Sequence, residues 1–151
     1  MVGKTAPIKR LDEVRFHVIQ EYCGCLACLL QGHELGHEAI ALTTIEHVTE
    51  HGRRLPDEHQ ATIGLCPYHH FGTPWRMLRR DDMLRILGPS LAHGRKPFEA
   101  HFGDEVKVLL PVQDELILLF AGDPWPAYTM PRAVRKTAVE LWTRLRRSEC
   151  P

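Results

Sequence analysis

Near the start of the chain, apolar side chains recur at Leu11, Val14, Val18 and Tyr22. Steps of three and four put such positions on one helical face, so the spacing predicts an amphipathic helix over 8–21. The string Cys23-Gly24-Cys25-Leu26-Ala27-Cys28 reads as a turn, and a polar stretch with Gly32 and Gly36 leads into 40–48. That run holds Thr43, Thr44, Ile45 and Val48, whose β-branched side chains suit a pleated surface, and it predicts a strand. Residues 52–58, with Gly52, Pro56 and Asp57, predict a loop, and 63–65 a short second strand. Cys66-Pro67 opens a turn or helix carrying His69 and His70, since proline is tolerated in a first helical turn. Pro74 and Gly88-Pro89 bracket an expected basic helix over 75–87, and 97–102 suggests one more helical turn. Residues 106–120 are largely apolar and fit either two helices broken at Pro111 or two strands. Asp123-Pro124-Trp125-Pro126 reads as a linker. Residues 132–147 read as a helix with Val134, Ala138, Leu141, Trp142 and Leu145 on one face, to cap the domain or form a homodimer seam.

The chain has 151 residues, 44% hydrophobic and 25% charged, the profile of a globular protein with one core rather than a disordered chain. We divide it at 1–121, a zinc-stapled nuclease domain in the reading developed below, and 122–151, a linker and basic amphipathic helix. The longest apolar run, 116–121, is far short of the ~20 residues of a membrane span. Residues 1–10 lack the apolar stretch of a secretory signal, so the expectation is a cytoplasmic protein with no membrane partner.

Lys plus Arg and Asp plus Glu number 19 each, so net charge points to no partner. The distribution is uneven. Basic residues gather at Arg76, Arg79, Arg80, Arg85, Arg95 and Lys96 and again over 132–147, with an acidic zone over 99–123 between them. Two basic zones fit nucleic-acid contact, and solvated helix faces would look the same. Arg53 and Arg54 in the predicted loop, and Arg76, Arg79 and Arg80 at helical spacing, are the candidate DNA-binding side chains.

Ten histidines and five cysteines change the picture most. An odd cysteine count in an intracellular chain argues for metal or chemistry rather than a disulfide framework. Cys25-x-x-Cys28 and Cys66-x-x-His69 are two short ligand pairs on turns, the way a closed tetrahedral zinc site is assembled. Cys23 is an alternative to Cys25, Cys150 is a bystander near the end, and small buried side chains are the bland alternative.

Between the pairs lie Glu46-His47, His59 and, directly after His69, His70. A strand ending in an acid and a histidine, a loop, then a helix with another histidine follows the logic of a ββα-metal nuclease. That chemistry needs one divalent cation on the phosphate and one imidazole free to deprotonate water. Strand neighbours point to opposite faces, so one of Glu46 and His47 can hold the cation while the other acts as base, with His70 as second ligand. A rival motif, His33-Glu34-Leu35-Gly36-His37, matches the H-E-x-x-H zinc helix of metalloproteases, but Gly32 and Gly36 oppose the long helix it needs.

The strings Cys25-Leu-Ala-Cys28, Ile45-Glu-His-Val48, Gly52-Arg-Arg54, His59-x-x-Thr62-Ile-Gly-Leu-Cys-Pro-Tyr-His-His70, Gly88-Pro-Ser-Leu91 and Phe98-Glu…Phe102-Gly103 resemble the phage recombination enhancement function nucleases. The resemblance spans about residues 22 to 110. It implies an α+β fold with an HNH-type ββα-metal core, a structural zinc on Cys25, Cys28, Cys66 and His69, and surrounding helices. It further implies His47 as general base, Glu46 and His70 as ligands of a catalytic Mg²⁺ or Mn²⁺, and His59 at the middle position of the H-N-H pattern. The expected function is metal-dependent hydrolysis of DNA phosphodiesters in phage recombination, with a RecA filament as partner and a phage- or prophage-encoded origin. The family commonly has His-His where this chain has Glu46-His47, and a carboxylate is an acceptable hard ligand for either cation. The competing reading from a different class is a zinc-stapled DNA-binding module without catalysis.

Overall fold

In the computed structural model, which describes residues 5–33, 42–75 and 78–121, helix α1 (Arg10–Val18) runs directly into a π-turn, Ile19–Cys23. Asp12 Oδ2 accepts the Lys9 N–H at 2.8 Å and so satisfies a free donor at the helix start. Gly24, at φ 76°, ends the turn, and the short helix α2 (Leu26–Leu30) follows. The described part of the first predicted strand is β1 (Thr44–His47), with Leu42 and Thr43 outside the ladder. It pairs antiparallel with β4 (Thr62–Leu65), setting Glu46 opposite Ile63 and His47 opposite Thr62.

The predicted loop over 52–58 is in part a hairpin: β2 (Thr49–Glu50) pairs with β3 (Arg53–Arg54). His51 and Gly52 both take positive φ, 51° and 75°, as a tight two-residue hairpin turn requires. The familiar Asn-Gly signal is replaced by His-Gly, which hides the hairpin from a reading by composition.

Helix α3 (Pro67–Phe71) starts on Cys66-Pro67 as expected. The basic helix is shorter than 75–87: α4 is Arg80–Leu87, with Asp81 and Asp82 placing negative charge in its first turn, where the helix dipole favours it. Trp75 is accordingly not a core residue; it is 45% exposed. After a 3-10 turn (Leu91–His93), α5 (Arg95–Phe102) begins two residues before Pro97, which sits in its first turn. A second π-turn (Glu105–Leu109) runs into α6 (Leu110–Ala121). Residues 106–120 therefore form neither two strands nor two separated helices. Pro111 falls just where the chain leaves the π-turn, so its missing N–H coincides with a departure from the regular ladder. Among the described residues no helix is long and apolar enough to cross a membrane. The predicted linker at 123–126 and helix at 132–147, with its seam, lie outside the described residues.

Strand β4 is buried throughout and lies at the centre, against α6, α2 and the first π-turn. Gly64 allows this: a Cβ there would stand 2.5 Å from the Gly24 carbonyl oxygen and 2.7 Å from Ile19 Cγ2. The Gly64 N–H donates to Gln113 Oε1 of α6 at 2.9 Å. Ile63, Leu65, Leu26, Leu29, Leu109, Leu116 and Ile117 complete this core.

Arg15 of α1 is 1% exposed and fully engaged. It donates to Asp114 Oδ1 at 2.6 Å, to the Thr62 carbonyl at 2.6 Å and to Thr62 Oγ1 at 2.8 Å, joining α1, β4 and α6. The acidic zone seen in the sequence is thus partly interior, with Asp114 on Arg15 and Glu105 on Arg95 at 2.8 Å. Removing one partner of a buried pair strands the other charge. Arg15→Ala is expected to cost about 3–5 kcal/mol in urea unfolding; a loss below about 1 kcal/mol, the scale of surface pairs, would show the pair to be peripheral.

Candidate functional site

Two turns of similar design meet under the sheet. Cys25 caps α2 and its Sγ accepts the Cys28 N–H at 3.5 Å; Cys66 caps α3 and its Sγ accepts the His69 N–H at 3.5 Å. His69 Nδ1 lies 3.4 Å from Cys25 Sγ, 3.4 Å from Cys28 Sγ and 3.2 Å from Cys66 Sγ. All four donor atoms lie within 4.8 Å of one another, and the residues are buried, from 0% exposed at His69 to 7% at Cys66. Zinc bonds of about 2.3 Å to sulfur and about 2.05 Å to nitrogen at tetrahedral angles put S and N roughly 3.6 Å apart, close to these spacings.

The surroundings fit the same ion. His69 Nε2–H donates to the Leu87 carbonyl at 2.7 Å, so the nitrogen facing the sulfurs is Nδ1, where a cation would take the place of a proton. The edges of Tyr68 and Phe102 enclose the ring. Hydrogen bonding to Cys25 and Cys28 pulls the Cys66 thiol far down, and hydrogen bonding to Cys25 and Cys66 drives Cys28 far up. Burial opposes charge on His69, but the Cys25 and Cys66 sulfurs outweigh it and lift the ring to about 10. Three sulfurs gathered this tightly call for a cation, and the cluster is capable of holding zinc. Cys23, the alternative ligand, is outside this group; burial raises its thiol to about 12.

The second set of residues divides between two clusters. Glu46 Oε2 lies 2.5 Å from His70 Nε2. Thr44, two residues before Glu46 and so on the same strand face, was not singled out in the sequence, yet it orients His70. Its hydroxyl donates to the Leu65 carbonyl at 2.7 Å and therefore accepts from His70 Nδ1–H at 2.8 Å. Nε2 is left toward Glu46, and the pair is chemically capable of sharing a proton or taking a cation. Phe71, 60% exposed, stacks on the His70 ring at 3.8 Å.

His47 takes the other face at the end of β1, with Nε2 3.0 Å from His59 Nδ1. His59 is 5% exposed, and its Nε2–H donates to the Ala6 carbonyl at 2.7 Å. The Phe16 ring meets both imidazoles edge-on, at 6.4 Å from His47 and 5.9 Å from His59. Burial first, then the charges of Arg54 and His59, hold His47 below the ordinary histidine range, against the pull of Glu58 and Glu46.

Of the candidate DNA contacts, Arg53 is exposed on β3, and Arg54 is tied to Glu58 Oε2 at 2.6 Å. Arg79 and Arg80 are exposed at the start of α4 rather than along one face of a longer helix, and Arg76 lies outside the described residues. In the H-E-x-x-H motif, His33 donates from Nε2 to the Ile86 carbonyl at 3.3 Å, while Glu34 and His37 lie outside the described residues.

A family model described as recombination enhancement, RecA-dependent nuclease, matches residues 10–117. No curated protein and no solved structure matches the chain.

The cluster geometry predicts one zinc per chain by elemental analysis, lost on Cys66→Ser and retained on Cys23→Ser and His33→Ala. Chelation is expected to lower the melting temperature. Zinc retained by Cys66→Ser, or lost in His33→Ala, would break the assignment.

Proposed function

The chain belongs to the recombination-enhancement, RecA-dependent nuclease family, and from that premise we propose that it is an HNH-type endonuclease that hydrolyses DNA phosphodiesters with a divalent cation. Nuclease action, DNA and RecA come with the family; the HNH type, the cation and the residue roles are our reading. The observation that carries it is the division of labour at β1: Glu46 beside His70 on one side, His47 beside His59 on the other. The antiparallel pair β1–β4 followed by α3 supports reading this part of the chain as a ββα-metal core. We assign this activity to 1–121, with 122–151 as an appended linker and helix.

Glu46 Oε2 and His70 Nε2 are the proposed ligands. A hard cation such as Mg²⁺ or Mn²⁺ bound there supplies charge stabilisation for the phosphorus centre and for the departing 3′ oxygen. The chain's own residues do the rest. His59 Nε2–H is committed to a carbonyl, so in the neutral pair its Nδ1 accepts from His47 Nε2–H. The lone pair of His47 is then on Nδ1, which takes a proton from water as the oxygen attacks phosphorus in line. The phosphorus–oxygen bond on the 3′ side breaks, that oxygen takes a proton from solvent, and a 5′ phosphate remains. His59 carries the hydrogen bond that steadies the imidazolium, and Arg53 on the neighbouring hairpin reaches the phosphate backbone.

The test is cleavage of duplex DNA in the presence of a RecA filament and Mg²⁺ or Mn²⁺. His47→Ala is expected to lower the rate at least about 100-fold while leaving DNA binding intact. Undiminished cutting by that variant would remove His47 as base. No cutting by wild type, with binding lost on Cys25→Ser, would favour the zinc-stapled binding module. The pH profile gives a second check. A base must be neutral, and the imidazolium of His47 is disfavoured, so activity should persist at pH about 6.5 and fall only below it. An acid limb centred well above that value would assign the base elsewhere.

A further inference from the structure

The segment ahead of α1 reaches back across the site. The Ala6 N–H donates to Glu58 Oε1 at 2.7 Å, and the Ala6 carbonyl accepts from His59 Nε2–H at 2.7 Å. Glu58 is itself held by Arg54 at 2.6 Å. One backbone unit is therefore tied on both sides, to a hairpin-anchored carboxylate and to the inner imidazole. Ala6 also lies outside residues 10–117, the part matched by the family model.

We propose that the segment 5–9 is a positioning strap, through which the Ala6 carbonyl sets the tautomer and ring orientation of His59 and thereby of His47. A carbonyl oxygen can only accept, so it demands the proton on His59 Nε2. Neutral His59 then presents a bare Nδ1, and His47 must offer Nε2–H across the 3.0 Å contact. Were His59 to exchange tautomers, its Nδ1–H would face His47 Nε2, and the proton of neutral His47 would move to Nδ1, the atom a base needs bare. The strap excludes that arrangement. It also prepares the charged state, because the bond from His47 Nε2–H to His59 Nδ1 becomes charge-assisted once His47 takes a proton. Phe16 cannot substitute for it: edge contacts limit where the rings lie but do not choose which nitrogen carries hydrogen.

This inference rests on the reading of His47 as base, and the experiment separates the two. The zinc-loaded full chain, ¹⁵N-labelled at histidine, is compared with a deletion of residues 2–7 and with Glu58→Ala, which unties the Ala6 N–H and leaves the segment present. Besides the imidazole N–H signals of His69 and His70, two are expected in the full chain from His59 Nε2 and His47 Nε2, identified by their loss in His59→Ala and His47→Ala. The deletion should lose these two, and kcat should fall about tenfold with KM within about twofold, the mark of a misoriented group rather than lost substrate binding. Glu58→Ala should weaken both signals, and it decides the matter if the deletion fails to fold. Persistence of both signals with unchanged kcat overturns the strap. Loss of both signals with unchanged kcat supports the strap and overturns His47 as base.

Discussion

Three cysteine sulfurs and an imidazole nitrogen are packed together in the interior, none of their residues more than 7% exposed. Thiolates in such a place are stable only around a cation, and the geometry that offers one fixes much else. Cys25 and Cys28 anchor the start of α2, Cys66 and His69 the start of α3, so the cluster ties the first part of the chain to the helix that follows β4. His70 comes next on that helix. A side chain that pairs with Glu46 is thus placed by its neighbour's commitment to the sulfurs. The close approach of Gly24 to Gly64 belongs to the same constraint, since a side chain at Gly64 would push the cysteine turn off the sheet.

Charge within the fold is sorted by a second rule, that buried ions have partners. Arg15 answers Asp114, and Arg95 answers Glu105. The acidic residues that seemed to separate two basic surfaces are partly spent inside. Exposed Arg53, Arg79 and Arg80 remain at the surface as positive charge, while Arg54 serves Glu58. Counting charges by segment could not make this distinction, because it depends on which helix face turns inward.

The alternation of a strand does the same for chemistry. Thr44 and Glu46 share a face and meet His70; His47, one residue on, turns toward His59 and Phe16. One short strand therefore offers a carboxylate–imidazole pair on one side and a paired imidazole on the other. The hydrogen-bond partners are backbone carbonyls and a hydroxyl, groups whose donor or acceptor roles are fixed or already committed, which is what makes the ring tautomers legible.

Ligand spacing, the helix over the first residues, the β-branched run at 43–48 and the proline that starts α3 were readable along the chain, because each is a local property of residue type and period. The two C-x-x-C/H pairs belong to the same class: a turn of four residues brings its own ends together whatever the rest does. The His-Gly hairpin, the unbroken helical path through Pro111 and the late start of α4 were not readable, since each depends on packing or on φ values that several residue types can adopt. Nor could Thr44, Arg15 or the Ala6 carbonyl be found by motif. Their roles come from contacts between residues as far apart as Arg15 and Asp114, and one of the groups is backbone, which has no residue identity to read. The sequence alone determined which donors were available; the tertiary structure decided which atoms they face, because hydrogen bonding and ion pairing require ångström-scale proximity that no spacing along the chain can supply.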